Sequence, residues 1–255
     1  MVQGRIASLW RHPVKGFTPE RLERASVAAG GFFPCDRLYA VEDGPSGFDP
    51  AAPAWISKQK FTVLAKIAEV ARTRTRFDDS SGVLTASADG RADFEGALDD
   101  PKGRAAFAAW LTDFLGEAAS GPLKVVQAPG HRFTDHPQGH VSVVNLASVR
   151  DLEARIGRPI DPLRFRANLY VEGWPAWIEN EAAEAAALGL GSMRAKLFKP
   201  IVRCVATHVD PATGERDIDV VKALFDNYGH LHCGVYVHVT AGGQVAEGDV
   251  AEIAA

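Results

Sequence analysis

The chain has 255 residues and a net charge of -4, with 46% hydrophobic and 24% charged side chains. That composition is too apolar for a disordered or collagen-like chain, and it lacks the basic excess of a nucleic-acid or anionic-membrane binder. No apolar run approaches the ~18 residues of a membrane span, and Gln3, Arg5 and Ser8 break up the opening segment, so a cytoplasmic chain without a membrane anchor is expected.

Residues 6–10 (IASLW) read as a short strand before the bend at Pro13. In a regular strand Ile6, Ser8 and Trp10 would share one face, and Ala7 and Leu9 the other. A second extended stretch covers 37–41 and runs into the turn-forming 42–47. Alternation over 71–77, a loop at 78–82 and a strand at 83–86 predict a hairpin with solvated arginines. Asp100 and Pro101 then open a helix, with Phe107, Trp110, Leu111 and Phe114 at helical spacing before Gly116. The segment 118–122 (AASGP) is the candidate boundary between a domain at 1–120 and a second at 121–255.

A strand at 123–127 opens the second half. Asn145 caps a helix carrying Leu146, Val149, Leu152 and Ile156 inward, and Gly157 ends it. Strands are expected at 168–172, 193–198 and 202–209, a helix at 220–228 and a strand at 235–240. The turn at 241–244, with Gly248 and Asp249, predicts a closing hairpin. Many short, glycine-broken strands with few helices point to a mainly β (α+β) chain containing a barrel.

Three cysteines, Cys35, Cys204 and Cys233, are too few for a disulfide framework. Cys204 directly follows Arg203, and Lys199 lies five residues upstream. Positive charge favours the thiolate, which attacks electrophiles or binds soft metals; equally, a cysteine in an apolar strand serves as a small core hydrophobe. Arg164 and Arg166, on one face if the segment is extended, can grip a phosphate or carboxylate ahead of Asn168, or simply pair with acids. Lys15 and Gly16 end the first strand, where an ammonium and a free amide can cradle an anion or stay solvated. Asp36 and Arg37 are equally open. The groups His131, His136, His140 with Asp135, and His230, His232, Cys233, His238, match neither paired CxxC nor HExxH.

The blocks HPVKG (12–16), GGFFPCDRLYAV (30–41), RFRANLYVEG (164–173), VRCVATHVDPATGER (202–216) and GVYVHVTAGGQVAEGDV (234–250) occur in an order that resembles the MOSC family. The likeness is to the subgroup with an amino-terminal β-barrel that includes the mitochondrial amidoxime-reducing component and its bacterial relatives. The resemblance implies a MOSC β-barrel-like core preceded by a smaller β-rich domain. It also implies a molybdenum–molybdopterin cofactor, with Cys204 as the catalytic thiolate ligand to the metal. Lys15, Gly16, Arg37, Asn145, Arg166, Asn168 and Arg203 would surround the pterin and its phosphate. Pyridoxal phosphate binding is a further family-level implication.

The implied activity is reduction of small N-hydroxylated substrates (amidoximes, hydroxylamines, N-hydroxylated bases). Its electrons would come from a separate iron–sulfur or haem protein, because no cysteine-rich iron–sulfur extension follows. Neither nucleic acid nor membrane is implied as a partner. The rival reading is a sulfur carrier or cofactor carrier using Cys204; a third is a cysteine hydrolase with His208 as base. Two positions depart from the family pattern: Gly16 stands where serine is usual, and Cys233-Gly234 where phenylalanine-glycine is usual.

Overall fold

Residues 1–138 and 141–254 are described by a computed structural model; His140 lies outside the described residues. In chain order the elements are β1 (Val2–Arg11), β2 (Glu20–Leu22), β3 (Arg24–Val27), β4 (Ala40–Asp43), β5 (Arg74–Asp78), β6 (Val83–Ser87), β7 (Phe94–Ala97), α1 (Pro101–Leu115) and β8 (Leu123–Val126). There follow β9 (Val141–Asn145), α2 (Leu146–Ile156), β10 (Leu169–Glu172), α3 (Ile178–Glu181), β11 (Ala187–Leu190), β12 (Met193–Val202), α4 (Val220–Tyr228), β13 (His232–Ala241), β14 (Gly243–Ala246) and β15 (Val250–Ile253). The fold is mainly β with a few helices, as the sequence implies.

Seven strands close into a barrel in the order β10-β9-β13-β12-β11-β15-β1, with β1 pairing back onto β10 and β2 hung on its outer side. Closure leaves no long strand edge open to another chain. The β9–β10 pair is parallel, a connection that needs a crossover, and α2 supplies it. Along β13 the side chains alternate: Val235, Val237 and Val239 fill the barrel beside Val143, Leu169, Val171 and Leu190. Each such buried side chain contributes about 1.5–3 kcal/mol relative to exposure.

Outside the barrel, Val149 and Leu152 of α2 and Leu224 of α4 cover Val144, Tyr170 and Cys233. Asn145 caps α2 by accepting from Ala147 N at 3.0 Å, and Gly157 ends it in the left-handed region. In the amino-terminal half, the sheet β5-β6-β7 and helix α1 enclose Phe77, Leu84, Leu98, Phe107 and Leu111. Strand β4 pairs with β8, and β3 pairs with β14. Among the described residues no helix is long and apolar enough to cross a membrane.

Four local expectations change. A bulge between Ile6 and Ser8 resets the alternation of β1, so Ile6 and Leu9 both enter the barrel. Residues 162–165 form a short 3-10 turn and Arg166 is left-handed at φ 51°, so Arg164 and Arg166 do not share an extended face. The strand expected at 202–209 stops at Val202 and gives way to a 3-10 turn at Val205–His208. The expected closing hairpin does not form either: β14 pairs with β3, while β15 pairs with β1 and β11. The bulge and the β14 and β15 pairings reflect distant partners that local spacing cannot reveal. The other two departures are short 3-10 turns that interrupt an extended pattern.

Candidate functional site

One end of the barrel meets the amino-terminal half across a cavity of ≈ 220 Å³. Its walls include Lys15, Gly16, Arg37, Arg166, Asn168, Arg203 and Cys204, seven of the eight site residues expected from sequence. Asn145 is not brought there. Its side chain caps α2 and donates to Pro175 O (2.7 Å) and to Glu179 (3.0 Å).

Cys204 lies two residues past the end of β12, extended at φ -133° ahead of the 3-10 turn at Val205–His208, and is partly exposed on the cavity wall. Its carbonyl is held by Thr207, which donates from N (3.0 Å) and Oγ1 (2.9 Å). The positive charge beside the sulfur is not Arg203. That guanidinium turns inward, donating from Nε to Cys233 O (2.7 Å) and from Nη1 to Phe165 O (2.8 Å), and lies over the Phe165 ring. Lys58 takes its place: Nζ lies 3.2 Å from Cys204 Sγ and 3.6 Å from Asp135 Oδ2. Burial opposes the Lys58 charge, but Asp135 and Cys204 outweigh it and hold the pKa above the usual lysine value. Lys58 sits in a short 3-10 turn and Asp135 in a loop, neither within a motif that marks it as a site residue.

Further cations line the same cavity. Arg37, left-handed at φ 50°, is paired with Asp36 and donates to Arg166 O at 2.9 Å. Arg166 donates from Nη1 to Phe17 O at 2.7 Å, and among the described residues no carboxylate lies within ion-pair distance of it. Burial, then the neighbouring Arg37, pulls its pKa down to about 10. Two crowded guanidiniums facing one cavity can attract an anion there. Lys15 donates to Phe133 O (2.8 Å) and pairs with Asp135. Asn168 accepts from Ser142 N (3.0 Å) and Oγ (2.9 Å) and donates to Trp10 O, locking the ends of β1, β9 and β10 together. A soft thiol and a group of cations lining one cavity fit a metal-bearing, phosphate-carrying group.

Arg164 has a different task. Buried at 2% side-chain exposure, it pairs with Asp210 (2.9 Å) and Asp217 (2.7 Å) and donates to His208 O. His208 turns to Asp219, 3.1 Å away, and accepts from Val221 N, so the hydrolase reading has no base aimed at Cys204. His131 packs on Phe48 and Phe133, and His136 edges onto Phe198.

Gly16 lines the cavity at φ +90°, and a Cβ there would sit 2.4 Å from Thr62 O. The serine usual in the family pattern therefore cannot be accommodated here without moving backbone. Gly16→Ser is expected to cost about 1–3 kcal/mol in a urea melt, from the strained φ and the clash; an unshifted midpoint would refute the tight fit.

Behind the arginines lies His12, fully buried, with Nδ1 3.4 Å from Asp36 Oδ1 and Nε2 without a partner among the described residues. Burial, then Arg37 and Arg166, keeps this imidazole neutral well below the usual histidine range. In the unfolded chain it takes up a proton near pH 6.5. Stability is therefore expected to fall below about pH 6.5, by up to ~1.4 kcal/mol per pH unit from this residue. Asp36, held below the carboxylate range against burial by Arg37 and His12, adds its own loss only at lower pH. Urea melts of His12→Phe at pH 5 and 7 should show a shallower pH slope than the parent; an equal slope would mean that His12 is charged in the fold.

The description "MOSC domain" matches residues 130–252 and "MOSC N-terminal beta barrel domain" matches residues 3–119. The chain belongs to the MOSC family, in its form with an amino-terminal barrel domain. Two curated relatives, each named molybdenum cofactor sulfurase, are similar to it. The one from Caenorhabditis elegans is 30% identical over 136 residues and the one from Caenorhabditis briggsae 32% over 133. These matches cover 51% and 50% of this chain but 18% of each relative, so the chain spans under a fifth of their length. Among solved structures, the YuaD protein from Bacillus subtilis is 12% identical, with 98% of this chain and 95% of that one covered at a TM-score of 0.46. YiiM from Geobacillus stearothermophilus is 19% identical, with 46% and 55% covered at 0.36.

Proposed function

We propose that the chain is a molybdenum-cofactor-dependent reductase of N-hydroxylated compounds: amidoximes, hydroxylamines and N-hydroxylated bases. The observation that carries this reading is the convergence of the Cys204 thiol with Arg37, Arg166 and Lys15 on one cavity. The two curated relatives, by their name, support a role tied to the molybdenum cofactor. When bound, that cofactor supplies the oxygen-transfer redox chemistry.

The chain's own residues do the rest. Cys204 holds the metal as a thiolate, and Thr207 fixes the backbone from which the sulfur projects. Arg37, Arg166 and Lys15 hold the anionic end of the pterin, and Asn168 keeps that wall in register. Lys58 holds a proton 3.2 Å from Sγ and balances the thiolate charge. Electrons would arrive from a separate iron–sulfur or haem protein. Pyridoxal phosphate is not part of this reading.

A second reading, a sulfur or cofactor carrier using Cys204, is favoured by the sulfurase names of the relatives. Metal analysis and a reductase assay on protein from a molybdenum-replete host separate the two. Stoichiometric molybdenum with turnover of an amidoxime supports the reductase. Sulfane sulfur on Cys204 without molybdenum supports the carrier.

A further inference from the structure

The cationic wall already contains an anion. Asp135 reaches from the loop between β8 and β9 to Lys15 Nζ through one oxygen and to within 3.6 Å of Lys58 Nζ through the other. The two carboxylates at this wall differ in how they are held. Asp36 is 4% exposed and fixed between Arg37 and the amide of His12. Asp135 is 49% exposed, so an entering ligand can reach the cations it occupies.

The segment carrying Asp135 is anchored at Phe133, while its next residue, Thr134, makes a contact that can be released. Phe133 is buried against Phe48 and Phe61, its ring centres 5.0 and 5.6 Å away, and its carbonyl accepts from Lys15. Thr134 O accepts from the indole of Trp55 at 3.3 Å, and Trp55 is itself 48% exposed. The carboxylate can therefore leave Lys15 and Lys58 while Phe133 keeps its place. A phosphate seeking the same two ammonium groups would otherwise face a like charge in direct contact.

We propose that the Asp135 carboxylate is an internal placeholder for the cofactor's phosphate, occupying Lys15 and Lys58 in the cofactor-free chain and yielding them when a phosphate enters. The inference rests on the reading of this cavity as a cofactor cradle and adds how the cradle is kept before loading. Paired with Asp135, the two lysines stay together at one carboxylate, and adventitious anions must compete with a tethered one.

The test uses the full cofactor-free chain and inorganic phosphate at constant ionic strength, read by calorimetry and by Trp55 emission. The parent should bind phosphate with a shift in emission as Thr134 O moves away from the indole. Asp135→Asn should bind phosphate about tenfold tighter, with emission already at the bound position and no further shift. Trp55→Phe, which should keep the affinity and lose the signal, assigns the emission change to this residue. Equal affinities in parent and Asp135→Asn would overturn the proposal. So would tighter binding by Asp135→Asn without an emission shift in the parent, because the carboxylate would then act only by its charge; the cradle would still stand. No phosphate binding by either protein would remove the cradle and the placeholder together.

Discussion

Cys204→Ser is expected to lose molybdenum and all measurable amidoxime turnover while keeping its fold. A hydroxyl is a harder and far less acidic ligand than a thiol, so it cannot replace a soft thiolate at the metal. The side chain lies on a cavity wall rather than in a packed core, so the stability change should stay within about 0.5 kcal/mol. Lys58 keeps Asp135 as a partner after the change. The other thiols cannot substitute: Cys233 is fully buried with its thiol pushed up to about 12, and burial also raises Cys35. Metal content, turnover and circular dichroism of the purified variant decide the matter, and full activity would end the case for Cys204 as ligand. In cofactor-free parent protein, timed alkylation should label Cys204 first, and cofactor should protect it.

Replacing the two arginines of the 164–166 segment should separate stability from cofactor retention. Arg164→Ala leaves Asp210 and Asp217 facing each other without their shared cation, in a site where the arginine was 2% exposed. Breaking a buried pair from one side costs about 3–5 kcal/mol, so this variant should melt far earlier. It should retain cofactor where it remains folded. Arg166→Ala removes a guanidinium with no carboxylate partner among the described residues and relieves the crowding with Arg37. Its thermal midpoint should move little, while molybdenum co-eluting on gel filtration should fall by tenfold or more. Equal cofactor retention by both variants would refute the assignment of Arg166 to the anion.

These two arginines also show what the sequence could and could not reveal. Side-chain type pointed to the right region, since both belong to an RFR block. Their separation depends on the 3-10 turn and on φ 51° at Arg166, which throws neighbouring side chains to opposite sides. Capped helices were fully legible, because Asp100–Pro101 and Asn145 act within one turn of their own position. The strands β9 and β11 went unseen: β9 is buried on both faces and lacks alternation, and β11 is only four residues long. Lys58 and Asp135 were invisible as site residues for the same reason as the strand pairings. They reach Cys204 and Lys15 from segments 146 and 120 residues away in sequence, and no local pattern encodes that distance.

The closure of the barrel has a consequence for how the chain is made. Strand β1 is translated just ahead of β2, yet its other two partners are β10 and β15, and β15 ends at Ile253. At about 5–20 residues per second, β1 waits on the order of ten seconds or more for the last of its three partners. During that interval Ile6 and Leu9, which end up in the barrel interior, have no permanent cover, and the long loop closure makes the final step intrinsically slow. The half built from β5, β6, β7 and α1 relies on short-range contacts and can form while the rest is still being translated. Ribosome-stalled chains lacking β15 should accordingly recruit chaperones at β1, and stalling downstream of β15, with that strand clear of the ribosome, should free them.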